Sequence, residues 1–240
     1  MNRRSVLLGV AGLAGAGLAG TGAFAFRMHT TPRRTPFLTD AHLGALASPP
    51  GDRPRVLFIG NSMVLHNDLP ALVRAEAADA GVTLTTGTAA AGGARLIETV
   101  RIAALEPVLR AGWDAIVVQD FTKTPLRAID RWASARAIAW IARTAAAPLL
   151  LYPPWPAKAG TAVYRDAGFL TATPDSPEDY AARTMAFYDS LGHPTTPVPA
   201  AWLAEPEAGA ALYAADGHHP NAEGSAFVAR LLWSDLQSLL

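Results

Sequence analysis

The sequence predicts an α/β protein, a three-layer α/β/α domain on a central parallel sheet of about five strands. Three observations carry that prediction. Short apolar runs, among them Val56-Leu57-Phe58-Ile59 and Ala115-Ile116-Val117-Val118, alternate along the chain with longer segments of helical pattern. The runs are continuous rather than alternating, as strands covered on both faces require. With 240 residues, 50% of them hydrophobic, the chain can enclose one sizeable core.

The elements follow in order. Residues 1–25 read as a separate object, with Arg3 and Arg4 ahead of a Gly/Ala-rich apolar run and Ala23-Phe24-Ala25 at its end. That is the layout of a twin-arginine-like signal peptide with a small-x-small cleavage site, or of an N-terminal anchor. The expectation is an exported bacterial protein, periplasmic or secreted, with a membrane tether if the segment is retained. Residues 26–54, rich in proline and arginine, read as a linker with one short helix near 40–47.

The domain is expected over 55–240. A strand over 56–59 leads through Gly60-Asn61-Ser62 to a helix that carries Asp68 and Pro70 at its start and meets Gly81 at its end. A second strand over 84–89, a loop with Gly92-Gly93 and a helix over 95–109 come next. A third strand over 115–118 ends on Gln119-Asp120, and a helix over 127–144 precedes a fourth strand over 148–152. A long proline-rich loop interrupts the rhythm, and loops of that length in compact domains are usually functional or mobile. Its Trp155, Tyr164 and Phe169 either line a pocket mouth or pack on the domain. A helix over 180–191, a fifth short strand near 196–198 and a last helix over 222–239 complete the chain.

Composition excludes several functions. There are 20 basic and 20 acidic residues and no long basic run, so no nucleic-acid partner is expected. The absence of cysteine removes disulfides, thiolate catalysis and cysteine-ligated zinc. Adjacent His218 and His219 lack the spacing of a metal-binding helix, so neither metal nor cofactor is expected. The Gly92-Gly93 pair fails the G-x-G-x-x-G phosphate pattern.

Two corners could carry chemistry. Gly60-Asn61-Ser62 puts a hydroxyl at the carboxyl end of the first strand, where open α/β sheets bind ligands. A serine needs a base, and the base an orienting group. Asp216 and His219, three apart in the loop before the last helix, can supply both, since a turn of that length brings the carboxylate to one imidazole nitrogen. Taken alone, each corner is also an ordinary polar turn.

Together, G-N-S after the first strand and D-x-x-H-P before the last helix resemble the SGNH (GDSL-type) hydrolase family. The resemblance extends to a branch with V-V-x-Q-[DE] after the third strand and an N-D-L-P continuation, matched here by Val117-Val118-Gln119-Asp120 and Asn67-Asp68-Leu69-Pro70. It implies a flavodoxin-like fold with Ser62 as nucleophile, His219 as general base and Asp216 as its orienter. It also implies an oxyanion hole from the Ser62 N–H, a glycine N–H (Gly93, with Gly92 as the alternative) and the Gln119 amide. The activity implied is hydrolysis of small acyl esters, in an exported protein acetyl esters of carbohydrate or envelope glycan. An O-acyltransferase with the same residues and a non-catalytic ligand-binding domain are the alternatives. His66, His218 and Trp155 are candidates for substrate contact or for plain packing. Oligomeric state is not legible.

Overall fold

The computed structural model describes residues 35–47, 51, 53–161, 164, 173–205 and 211–240. The leader expected over 1–25, part of the linker and Phe169 lie outside them. A short helix, α1 (Asp40–Leu46), precedes four strands: β1 (Arg55–Gly60), β2 (Thr85–Ala90), β3 (Ala115–Val118) and β4 (Leu149–Leu151). All pair in parallel, in the order β2-β1-β3-β4. Every residue of β1, β3 and β4 is buried, which is what their unbroken apolar sequences require.

Side-chain alternation along the strands divides the interior into two layers. Val56, Phe58, Val117 and Leu150 face one way and pack with Leu69 and Val73 of one helix and Val228 and Leu232 of the last. Leu57, Ile59, Ile116, Val118 and Leu151 face the other way, onto Leu105, Ile138 and Ile141. Residues of α1 and of the segment before it join this second layer. Leu43 is fully buried, the Thr35 hydroxyl donates to Ala90 O at 3.1 Å, and the His42 ring donates from Nε2 to Thr88 O at 2.7 Å. Residues read as linker therefore cover the β2 edge of the domain.

After β1 a single turn, α2 (Ser62–Leu65), and a 3-10 turn at His66–Asp68 lead to the helix expected with Asp68 and Pro70 at its start. That helix is α3 (Leu69–Asp79), capped by Asp68 with Pro70 in its first turn. Two expectations need correction. First, the helix expected over 95–109 is two short ones, α4 (Leu96–Thr99) and α5 (Leu105–Leu109). Pro107 explains the break: inside one long helix it would lack a donor and clash with the carbonyl of Ala103, whereas near the start of a new helix it is tolerated. Second, the fifth strand is reduced to a bridge between Leu151 and Thr195. Leu151 N–H donates to Pro194 O at 2.8 Å and Thr196 N–H to Leu151 O at 3.0 Å. Pro194 and Pro197 cannot donate, so pairing stops there, and a helix starts at Val198.

The remaining helices are α6 (Ala128–Thr144), α7 (Pro177–Asp189), α8 (Val198–Ala204) and α9 (Ala222–Leu236). The last is capped by Asn221, whose side chain accepts Gly224 N–H at 2.8 Å.

Candidate active site

The corner after β1 is shaped by close approach. A Cβ on Gly60 would lie 2.6 Å from Val64 Cγ2 and 2.7 Å from Gln119 Oε1, so only glycine fits. Asn61 is 2% exposed; its Oδ1 accepts Met63 N–H at 3.1 Å and caps α2, and its Nδ2 donates to Ala94 O at 3.2 Å. One side chain thus fixes the serine corner and ties it to the loop after β2. Ser62 follows as the first residue of α2, half-buried.

The loop before α9 brings its groups to that serine. It turns at Gly217, whose φ of 66° suits glycine, and Gly217 N–H donates to Ala214 O at 3.0 Å. Asp216 Oδ1 accepts the backbone N–H groups of His218 and His219, both at 2.9 Å, and Oδ2 lies 2.5 Å from His219 Nδ1. His219 Nε2 lies 2.9 Å from Ser62 Oγ. A carboxylate only accepts, so Nδ1 carries the proton and Nε2 is the acceptor for the serine hydroxyl. Partial burial works against ionisation of Asp216. The His219 ring and the two N–H groups overcome it and hold the carboxyl well below the usual range.

A residue that sequence reasoning noted only as part of N-D-L-P locks the two corners together. Asn67 Nδ2 donates to Asn221 O at 3.0 Å and Ser225 Oγ at 2.8 Å, and reaches Pro220 O at 3.3 Å. Pro220 directly follows His219. Asn67 and Asp68 both have positive φ, 53° and 50°. Asparagine and aspartate tolerate that region better than other side chains, and Asp68 then caps α3 by accepting Ala71 N–H at 3.2 Å. The signal in the sequence was the adjacent pair of left-handed formers ahead of a helix-starting proline.

The donors expected at the oxyanion position are only partly offered. Gly93 has φ of 65°, while Gly92 is exposed and open to a side chain, so Gly93 is the position that needs glycine. Gln119 departs from expectation. It is 1% exposed, its Oε1 accepts Asn61 N–H at 3.0 Å and its Nε2 donates to Asp120 O. The carboxamide holds the serine corner from behind instead of pointing into the site, because the corner's own N–H needs an acceptor there. Asp120 is likewise internal: it accepts Leu96 N–H at 2.8 Å and Phe121 N–H at 2.6 Å, and burial pushes its carboxyl up against those bonds.

Trp155, read as a candidate for substrate contact or for packing, is packing. It is 0% exposed, stacked on Trp202 at 4.5 Å, with Nε1 donating to His218 O at 3.0 Å. It props the loop of Asp216 and His219 from beneath. Tyr164 is also buried, its hydroxyl donating to Ala157 O. His66 lies flat on the His219 ring, 4.2 Å away and 6° from parallel, and His218 meets the same ring edge-on at 4.7 Å. Burial and then repulsion by His219 lower the basicity of both neighbours, His218 to about 4, so both are neutral at pH 7. Among the described residues no group of three or more His, Asp or Glu is arranged to hold a metal ion.

No family model matches the sequence, and no curated protein does. Solved structures match throughout the domain. A candidate SGNH hydrolase from Slackia heliotrinireducens aligns with a TM-score of 0.65 at 28% identity, covering 77% of this chain and 100% of that one. A candidate GDSL-like lipase from Parabacteroides merdae aligns with a TM-score of 0.61 at 11% identity, covering 80% of this chain and 100% of its own. A lipase/acylhydrolase from Enterococcus faecalis aligns at 0.57 and 14%, covering 77% and 96%.

Proposed function

From a chain that has the SGNH-hydrolase fold, a fold of esterase- and lipase-type enzymes, we propose a serine ester hydrolase with Ser62 as nucleophile, His219 as general base and Asp216 as the orienter of the base. The observation that carries the reading is the continuous relay, 2.9 Å from Ser62 Oγ to His219 Nε2 and 2.5 Å from Nδ1 to Asp216. Ser62 Oγ attacks the ester carbonyl carbon while its proton passes to Nε2. The imidazolium is stabilised by Asp216, whose lowered pKa keeps it ionised at neutral pH. Collapse of the tetrahedral intermediate breaks the bond to the alkoxy oxygen, which leaves with the proton held on His219. A water, deprotonated by the same nitrogen, then releases the acid from Ser62.

Negative charge on the carbonyl oxygen is met by the N–H groups of Ser62 and Gly93. With Gln119 turned away, backbone donors carry this role. The substrates are small acyl esters, acetyl esters of carbohydrate or envelope glycan, which rests on the family resemblance and on the export-like segment around Arg3, Arg4 and Ala23-Phe24-Ala25.

The experiment compares purified wild type with Ser62→Ala on p-nitrophenyl acetate and longer-chain esters, with circular dichroism on both. Turnover should fall on the order of 10³-fold or more in a folded variant. Unchanged turnover removes Ser62 from the mechanism. The withdrawn Gln119 amide favours a second reading, a ligand-binding domain without turnover. Absence of ester cleavage, together with failure of a fluorophosphonate to label Ser62, would select it.

A further inference from the structure

Two large apolar side chains, Ile129 at 42% exposed and Trp132 at 49%, stand one turn apart on the surface of α6. The same face continues through the exposed Arg136 and Arg143, with Trp140 between them half-buried and packed partly against the core, steps of three and four that keep one side of a helix. The Arg136 guanidinium lies 5.0 Å from the centre of the Trp132 ring. Beside them runs a groove of about 290 Å³, lined by Ile97 and Val100 together with Trp140 and the two arginines, with no acid in its walls. The acid of α6, Asp130, is buried and paired with Arg95 at 2.7 Å and Arg127 at 3.4 Å. The face therefore combines aromatic rings, aliphatic surface and cations, and its helix turns its one carboxylate inward.

A solvated helix of an ordinary domain mixes both signs of charge and few large apolar groups. A soluble anion would satisfy the arginines and leave Ile129 and Trp132 in water, while an apolar protein patch would cover the rings and strand the guanidinium groups. A bilayer surface bearing anionic phospholipids meets both needs. Tryptophan favours the headgroup level, arginine binds phosphate oxygens in a fork, and its methylene stem lies along apolar surface. We infer that the outer face of α6, with Trp132, Arg136, Trp140 and Arg143, seats the folded domain on anionic membrane surfaces.

Seating is shallow, since no described helix is long and apolar enough to cross a membrane. It also orients the candidate site. Ile97 in the groove is four residues after Gly93, and Arg95 between them is the residue that pairs with Asp130 of α6. The inference stands independently of ester hydrolysis.

The test uses the full chain and vesicles of phosphatidylcholine and phosphatidylglycerol in equal amounts, with brominated acyl chains that quench tryptophan on contact. Wild-type emission should be quenched, and Trp132→Phe should lose the larger part of that quenching, because Trp113, Trp155, Trp202 and Trp233 are buried and Trp140 is half-buried. Arg136→Glu/Arg143→Glu should need at least about tenfold more lipid for the same quenching, each cation near an anionic surface being worth a comparable factor. Arg136→Gln/Arg143→Gln should show an intermediate shift, and unchanged circular dichroism spectra and melting temperatures in all variants show that they are folded. The N-terminal segment is common to every protein compared and cancels. Quenching that is equal in Trp132→Phe, equal in both arginine variants, or equal on pure phosphatidylcholine overturns the inference. So does the absence of quenching in the wild type, which would assign the face to a protein or soluble anion.

Discussion

Asn67 shows how a single side chain can set the geometry of a relay it does not belong to. Its carboxamide joins the turn after Ser62 to Asn221 and Ser225, and through them to the loop that carries His219. Asn67→Gly keeps the positive φ open and removes the bonds. Its kcat should fall about 10- to 100-fold with KM little changed, because a base displaced by a fraction of an ångström is lost to the transition state more than to binding. A purely structural role would lower the melting temperature and leave kcat alone well below it. At this scale the sequence was legible for the local pairing of Asp216 with His219, three residues apart in one turn, whereas the approach of Ser62, 157 residues away, came only from the family resemblance. It was not legible for Trp155, because the burial of an aromatic in a long loop depends on Trp202, far along the chain, stacking on it.

At the scale of elements, the corner after β1 and the end of β3 form one unit. Gln119 accepts Asn61 N–H, and Gly60 is small enough to let that side chain pass. Gln119→Ala leaves a buried N–H without an acceptor, so urea denaturation should show a loss of about 1–3 kcal/mol. An oxyanion donor would instead show kcat falling 10²–10³-fold with stability unchanged. Strands and the long helices were readable because their apolar patterns are periodic and their ends punctuated. The misread elements have a common cause. The segments around Pro107 and Pro194–Pro197 carry suitable apolar patterns, and the missing donors of proline override them. The role of Gln119 was hidden for a related reason: its partner is a backbone N–H 58 residues away, which no side-chain pattern reveals.

The molecule as a whole is a sheet filled on both faces, and the second layer reaches beyond the segment that reads as a domain. Leu43 of α1 has no exposed surface and belongs to that layer. Leu43→Ala should cost about 2–5 kcal/mol in chemical denaturation, as for a core leucine. A loss under 1 kcal/mol would return α1 to the status of a linker. The sequence placed the fold class and the order of its parts; it understated how early the folded unit begins, since a proline- and arginine-rich stretch gives little pattern from which to infer docking.

The bridge at Leu151 has a bearing on behaviour in crowded solution. Leu149-Leu150-Leu151 is the kind of short, uncharged, apolar ribbon that another chain could extend by adding a strand. The segment that lies over its open side meets it at a single residue and carries prolines at 194 and 197, offering a newcomer an interrupted row of donors. What the sheet forgoes in width it gains as a terminus that neighbouring copies cannot template upon.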